Sequence, residues 1–139
     1  MEFKEKEALD FSYKIRKKIL EMSFNAGAAS AHIGGALSCA DIVSVIFSNF
    51  LNFKKENPLW EKRDRFILSK GHACLAYYTA LHQIGMLEDK DLLSFEKNNS
   101  DLAGHPVRNL KKGIEFSTGS LGMGISIAVG LGIAFKKKK

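Results

Sequence analysis

The chain has 139 residues, of which 45% are hydrophobic and 26% charged, a balance typical of one globular domain and not of a disordered or fibrous protein. Its formal net charge of +6 falls to +2 when the four lysines at positions 136–139 are left out, which argues against a nucleic-acid-binding protein. Cys39 and Cys74 lie far apart and form no C-x-x-C pair, which excludes a disulfide framework and a cysteine zinc site and favours a reducing, cytoplasmic setting.

The most apolar segment, residues 121–135, resembles a membrane anchor because lysines follow it. Its 15 residues are fewer than the roughly 20 that a transmembrane helix needs, and four glycines interrupt it. The charged segment Met1–Lys6 lacks the apolar core of a signal peptide. The sequence therefore predicts no membrane segment and favours a helix buried in a soluble core.

The first half of the chain is predicted to be helical with one small-residue loop. Apolar residues at three- and four-residue spacing predict an amphipathic helix over residues 4–26. Residues 28–37 are small and glycine-rich, and we expect a loop there. A second helix is then predicted over residues 38–50, with Ser38 and Asp41 as its capping box.

The middle of the chain contains the one segment that predicts a β-strand, residues 65–69. Lys70-Gly71 then turns the chain directly into a third helix, whose clean apolar stripe predicts packing on a core and which Gly85 ends. A short helix over residues 88–96 is expected to follow.

The last part of the chain combines an irregular polar segment, residues 98–118, with a helix over residues 120–135 that is apolar on nearly every side. Such a helix is expected to be buried on all faces or at a subunit interface. A parallel sheet needs several strands joined by crossover helices, and only one strand is evident. The pattern therefore favours the beginning of a larger α/β unit over an unusual helical protein.

Three histidines stand beside glycine or in glycine-rich loops, and these are His32, His72 and His105. A lone loop histidine is more often structural than functional, but three in such settings favour function. Glycine removes side-chain bulk, so that a ligand can approach backbone and imidazole together. The fourth, His82, lies off the apolar stripe of the third helix and is interpreted as an ordinary surface residue.

His72 has the most specific setting, because it follows a strand and a tight glycine turn and opens a helix. Strand carboxyl ends and helix N-termini both favour anions, and a diphosphate would fit. A second glycine-rich turn, residues 117–124, also enters a helix. It matches neither a P-loop nor a dinucleotide-binding pattern, so a merely close-packed helix start stays open as the alternative.

The motifs occur together, in order, in one family. The chain resembles the N-terminal part of transketolase, in particular the split form in which this half is a separate polypeptide, over most of its length. The matching segments are Ala31-His-Ile-Gly-Gly35, Arg63-Asp-Arg-Phe-Ile-Leu-Ser-Lys-Gly-His-Ala73, Gly104-His-Pro106 and Ser117-Thr-Gly-Ser-Leu-Gly122. The second is unlike the related 1-deoxyxylulose-5-phosphate synthase, while other thiamine-dependent ketol transferases remain open.

The resemblance implies a role for each motif. His32 would contact the sugar substrate near the reacting carbon, and His105 would bind a hydroxyl of the two-carbon unit, so both are the candidate catalytic residues. His72 would contact the diphosphate of thiamine diphosphate. The cofactor would also be lined by three consecutive residues, Gly119, Ser120 and Leu121. The implied reaction transfers a two-carbon ketol unit from a ketose phosphate to an aldose phosphate in the pentose phosphate pathway.

Two departures from the family pattern bear on the site. Ala31 and Ile33 stand where the family has a glycine and a proline, which is expected to leave His32 less firmly placed. Met123 replaces a common glutamine, and we expect it to be tolerated.

The Gly-Asp-Gly motif and later Asn that bind Mg²⁺ in the family are not in this chain. No metal ligand is therefore assigned, and weak cofactor binding is expected. The glutamate that activates the aminopyrimidine is missing too.

The resulting prediction is an incomplete N-terminal portion of the α/β, parallel-sheet transketolase fold, mostly helical in this chain. Residues 1–135 form the partial thiamine-diphosphate-binding domain, and residues 136–139 form a lysine tail. The implied partners are sugar phosphates and a C-terminal transketolase half or subunit, with a dimer in the complete enzyme. Two other hypotheses are a non-catalytic module that binds a partner through its last helix, and a basic nucleic-acid binder using residues 14–18.

Overall fold

A computed structural model describes residues 3–27 and 31–137. Its helices are α1 (Glu5–Ala26), α2 (Ile33–Leu37), α3 (Ala40–Val45), which continues as a π-turn over Ile46–Phe50, α4 (Cys74–Gln83), α5 (Asp89–Leu93) and α6 (Met123–Lys137). Short 3₁₀ turns occur at Gly71–Ala73 and Leu110–Lys112. No helix in the described part of the chain is both long and apolar enough to cross a bilayer.

Helix α1 confirms the amphipathic pattern within one residue of its predicted start. Its buried face carries Ala8, Ile15, Ile19 and Met22, which recur at helical spacing and join the core. Gly27 follows the helix with a φ of 79°, a backbone conformation that glycine adopts without steric cost.

The basic cluster of α1 is a solvated face neutralised by acidic partners. Lys14 pairs with Asp10 within the helix, and Arg16 donates two hydrogen bonds to Asp41 at 2.8 and 2.9 Å. Lys18 pairs with Asp89 at 3.0 Å. Because these cations are matched by nearby carboxylates, the structure favours a solvated face over a nucleic-acid surface.

Helix α4 is the centre of the core and packs against α1, α2, α3 and α5. All of its residues from Cys74 to Leu81 are buried. The hydroxyls of two of them, Tyr77 and Tyr78, donate to the carbonyls of Gly113 and Ala103 at 2.7 and 2.9 Å. A buried hydroxyl must find an acceptor, so these bonds fix the irregular segment after α5 onto the central helix.

A buried ion pair joins two long connecting segments. Arg63 donates to both carboxylate oxygens of Glu115 at 2.8 and 2.9 Å, and the two side chains are only 11% and 9% exposed. Arg63 also donates to the carbonyl of Trp60. This bidentate geometry fixes the segment before the predicted strand against the segment that leads to the glycine-rich turn.

The predicted boundary between the first loop and the second helix is wrong. Residues 33–37 of the predicted loop form α2, whereas residues 28–30 lie outside the described part of the chain. Ser38 is not a cap, since its hydroxyl donates to the carbonyl of Gly35, and Asp41 accepts bonds from Ser12 and Arg16 instead of closing a capping box. Packing against α1 decides the partner of Asp41.

Residues 65–69 form no β-ladder within the described residues, where the single bridge joins Asn109 to Ile114. A strand is defined by its hydrogen-bonded neighbour, and the described part of the chain supplies none. The helix predicted over residues 88–96 is shorter than expected. It ends at Leu93, and it does begin with a capping box between Glu88 and Asp91.

The final helix begins and ends close to the predicted bounds but is not buried. Gly124 is the one buried residue of α6, while Ile125, Val129, Ile133 and Phe135 are exposed. The expectation of burial on all faces is therefore wrong for the chain as it stands. The expected subunit interface stays a prediction, because a helix this apolar needs a covering surface.

The two thiols differ enough to predict their reactivity. Cys74 is buried and donates to the carbonyl of Gly104, and burial raises the pKa of its thiol to about 12. Cys39 is half-buried and free. Since the thiolate is the nucleophile, iodoacetamide at neutral pH is expected to label Cys39 and leave Cys74 unmodified, as peptide mass spectrometry would show. Rapid labelling of Cys74 in folded Cys39→Ser protein would contradict this packing.

Candidate functional site

The structure brings the three glycine-flanked histidines into one cluster. The ring centroids of His32 and His72 are 4.8 Å apart, those of His72 and His105 are 4.6 Å apart, and those of His32 and His105 are 5.7 Å apart. These residues come from three separate regions of the sequence. Their convergence is a property of the fold, and it places the three candidate side chains predicted from the sequence around one space.

Each histidine is positioned by a different local structure. His32 immediately precedes α2, where its carbonyl accepts the N–H of Ala36, and its side chain is exposed. His72 lies in the 3₁₀ turn that opens α4. His105 lies in an irregular segment that is held on both sides, because Cys74 donates to Gly104 and the N–H of Thr118 donates to the carbonyl of Pro106.

The turn at Lys70-Gly71 and the glycine-rich turn at residues 117–124 meet through their backbones. A Cβ atom at Gly71 would lie 2.7 Å from the carbonyl oxygen of Thr118 and 2.8 Å from the amide nitrogen of Gly119. The hydroxyl of Thr118 also donates to the carbonyl of Leu68 at 2.7 Å. This contact excludes any side chain at position 71, so glycine is required there by close approach of the backbones.

The predicted cofactor-binding turn lies against the histidine cluster at its first residue, Gly119. A Cβ atom at Gly119 would be 3.4 Å from the ring of His105. Ser120 and Leu121 are exposed, and they lead into α6. Because Gly119 has no side chain, its backbone lies next to the imidazole of His105.

The electrostatic setting of His72 differs from that of an exposed histidine. Its Nδ1 is buried and has no hydrogen-bond partner among the residues that the structure describes. Burial lowers the pKa of His72 below its ordinary value, and the nearby His105, His32 and Lys70 act in the same direction. Neutral imidazole is therefore favoured, which leaves one nitrogen to donate and the other to accept.

Lys70 is a site residue that the sequence reasoning missed. Its ammonium donates to the hydroxyl of Ser38 at 3.0 Å and to the carbonyl of Gly35 at 3.3 Å. The side chain thus links the turn before α4 to the end of α2 and places a positive charge beside His72. Its position next to Gly71-His72 in the matched motif was the available signal.

The surface interpretation of His82 is wrong. Its side chain is 18% exposed, and its Nε2 lies 3.1 Å from a carboxylate oxygen of Asp89. Its Nδ1 is buried without a hydrogen-bond partner in the described part of the chain. His82 lies in the last turn of α4 and does not join the histidine cluster. It therefore provides a half-buried reference histidine that is independent of the candidate site.

The residues present fit an anionic, diphosphate-bearing group better than a magnesium ion. The His72 nitrogen that lacks a hydrogen-bond partner in the described part of the chain and the lysine beside it together offer polar contacts to an anion. Within the described residues, the group of possible metal ligands consists of the three imidazoles alone. Mg²⁺ prefers oxygen ligands, so this cluster does not fit it.

Comparisons of the sequence with known proteins agree on one family. Residues 13–139 match the family model of the transketolase thiamine diphosphate binding domain. The transketolase of Buchnera aphidicola is 40% identical over 124 residues, which are 87% of this chain and 19% of the relative. Transketolase 1 of Escherichia coli is 40% identical over 120 residues, or 86% of this chain and 18% of the relative.

Solved structures give the same result. Transketolase from Leishmania mexicana superposes with a TM-score of 0.84 at 34% identity, covering 91% of this chain and 19% of that one. Transketolase from Campylobacter jejuni superposes with a TM-score of 0.79 at 35% identity, covering 91% and 20%. The chain thus spans about a fifth of the length of the relatives it matches. The motif order, the histidine cluster and these likenesses agree that the chain belongs to the transketolase family, as part of its thiamine diphosphate binding domain.

Proposed function

We propose that the chain supplies one wall of a thiamine diphosphate site for transfer of two-carbon ketol units between sugar phosphates. The observation that supports this most directly is the meeting of three histidines beside the Gly119 turn. Bound thiamine diphosphate would supply the carbanion chemistry, while the chain would orient the reactants and move protons. The proposed setting is the pentose phosphate pathway in the cytoplasm.

The proposed roles follow the positions of the side chains. His72, with its partnerless buried nitrogen, would contact the cofactor diphosphate, and Gly119, Ser120 and Leu121 would line the cofactor. His32 and His105 would face the sugar substrate, where imidazole can bind a hydroxyl or transfer a proton near neutral pH. His32 is the more exposed of the two.

The proposed partner is the remainder of a transketolase, as a C-terminal half or a separate subunit, within a dimer. Two observations support this. The chain spans about a fifth of its relatives, and α6 carries an exposed apolar row that needs covering. The proposed domain covers residues 1–135, and Mg²⁺ would be held by ligands that residues 1–139 do not contribute. The isolated chain is therefore expected to be inactive.

Titration of the 139-residue chain with thiamine diphosphate and Mg²⁺, followed by NMR of the histidine rings, tests this site. We expect weak binding that shifts the signals of His32, His72 and His105 while leaving His82 unchanged. His72→Gln is expected to weaken binding about tenfold because one contact to the diphosphate is lost. The matched control, His82→Gln, is expected to keep the affinity of the parent chain.

Two outcomes would refute the assignment. One is equal movement of the His82 signal, and the other is unchanged affinity in folded His72→Gln protein. Tight binding by the isolated chain would show instead that the missing magnesium ligands are dispensable. Each result is read from binding and does not depend on turnover.

The second candidate function is a non-catalytic module that binds a partner protein through α6. The exposed row of Ile125, Val129 and Ile133 favours it. It predicts a stable, soluble chain whose histidine NMR signals do not change when thiamine diphosphate is added. It also predicts that Ile125→Asp abolishes binding of the partner protein. An aggregated or molten purified chain would eliminate this alternative.

A further inference from the structure

The histidine cluster has a second chemical property that anion binding does not use. One potential ligand nitrogen from each of His32, His72 and His105 lies within 4.8 Å of the other two. Zinc–nitrogen bonds of about 2.0–2.1 Å in a tetrahedron place donor nitrogens about 3.3 Å apart. The three imidazoles therefore need to close by at most about 1.5 Å to share one ion.

Two features of the cluster make this closure feasible. The His32 side chain is exposed at the edge of the cluster, so its ring can turn without displacing the core. His72 has a buried Nδ1 with no hydrogen-bond partner among the described residues, so a metal bond at that nitrogen breaks no existing hydrogen bond. His72 therefore has a ring nitrogen that is available to bind a metal ion.

The ligand type also selects the class of metal. Three neutral imidazoles without a carboxylate suit Zn²⁺, Co²⁺, Ni²⁺ or Cu²⁺, whereas Mg²⁺ and Ca²⁺ require oxygen ligands. Three protein ligands leave a fourth tetrahedral position for water. One feature opposes the site, since Lys70 places a positive charge near His72 while its ammonium is bonded to Ser38 and Gly35.

We propose that His32, His72 and His105 form a binding site for one divalent transition-metal ion, with Zn²⁺ as the best fit. Zinc in this position occupies the space that the proposed function gives to the cofactor and substrate. Competition between Zn²⁺ and thiamine diphosphate is therefore a consequence that rests on that proposed function. Metal binding itself rests on the three imidazoles alone.

The experiment is a titration of the untagged 139-residue chain with Co²⁺, without cofactor, followed by the visible absorption of tetrahedral cobalt and then by displacement with Zn²⁺. We expect one ion per chain. Each of His32→Gln, His72→Gln and His105→Gln is expected to lower the affinity at least about tenfold, because a direct ligand is lost. His82→Gln is the matched control, since His82 is a half-buried histidine outside the cluster, and it is expected to bind like the parent chain.

Two further variants sharpen the result. Lys70→Met is expected to tighten cobalt binding, because it removes a like charge from the site. Cys39→Ser is expected to have no effect, since the thiol is not a proposed ligand. In the parent chain, Co²⁺ is also expected to shift or broaden the NMR ring signals of the three histidines and to leave those of His82 unchanged. This measurement does not depend on whether the variants fold.

The proposal is overturned by any of three results. These are retention of the parent affinity when all three histidines are replaced, loss of binding in Cys39→Ser, or cobalt effects on His82 as large as those on the cluster. Since no cofactor is present, failure here leaves the thiamine diphosphate assignment standing. Failure of cofactor binding equally leaves the metal site standing.

Discussion

Replacing Glu115 with Gln is expected to lower the free energy of unfolding by about 3–5 kcal/mol, because it leaves the guanidinium of Arg63 buried without its counter-charge. The pair is bidentate, and neither side chain is more than 11% exposed. Glutamine keeps the size and one acceptor oxygen, so the loss reports mainly on charge. Urea denaturation followed by circular dichroism measures the change.

The matched control for this pair is Asp10→Asn, which removes the partner of Lys14 from an exposed ion pair. Such surface pairs contribute about 0.2–1 kcal/mol, so a small effect is expected. The double variant Arg63→Met, Glu115→Leu is expected to regain much of the stability, because no unpaired charge remains. If Glu115→Gln costs no more than the control, the buried pair has no special role.

The second large effect is expected for Gly71→Ala. Its Cβ would lie 2.7 and 2.8 Å from backbone atoms of Thr118 and Gly119, so one of the two turns must move. Such overpacking typically costs about 1–3 kcal/mol. Because this contact positions His72 against the cofactor-lining turn, loss of histidine-ring shifts on adding thiamine diphosphate is expected as well.

Gly34→Ala provides the control for that substitution. A Cβ at Gly34 meets no described residue within 4 Å, and Gly34 is exposed in α2. Alanine is also the better helix former, so stability is expected to stay the same or rise slightly. Comparable destabilisation by the two substitutions would mean that the backbone contact at Gly71 is not the cause.

Sequence reasoning succeeded where structure is determined by local periodicity. The apolar spacing in α1 predicted its buried face, and the glycines that follow α1 and α4 ended these helices as expected. In α4 the spacing predicted packing on a core but only one buried stripe, whereas all residues from Cys74 to Leu81 are buried. Sequence reasoning failed at α2, where Gly34 and Gly35 have low helix propensity. Burial of Ala36 against the rest of the core stabilises that helix, and such packing cannot be read from a five-residue segment.

The remaining errors share a physical origin, since each depends on a neighbouring surface. Residues 65–69 have strand character but no ladder partner among the described residues, and α6 is apolar but largely uncovered. The hydrophobic pattern of a segment indicates which secondary structure it favours. Strand pairing and burial also require a second segment that packs against it. The family resemblance grouped the three histidines, but only the folded chain shows that their rings are neighbours and that Lys70 lies beside them.

The hydrogen bond from Thr118 to Leu68 has a consequence for the order of folding. It spans 50 residues of sequence, and the Gly71 contact closes the same loop. Local contacts can form helices early, but closing a long loop must wait until other contacts offset its entropy. The histidine cluster is thus expected to assemble after the helices, and amide protons near Gly71 and Thr118 should exchange together, as one cooperative unit.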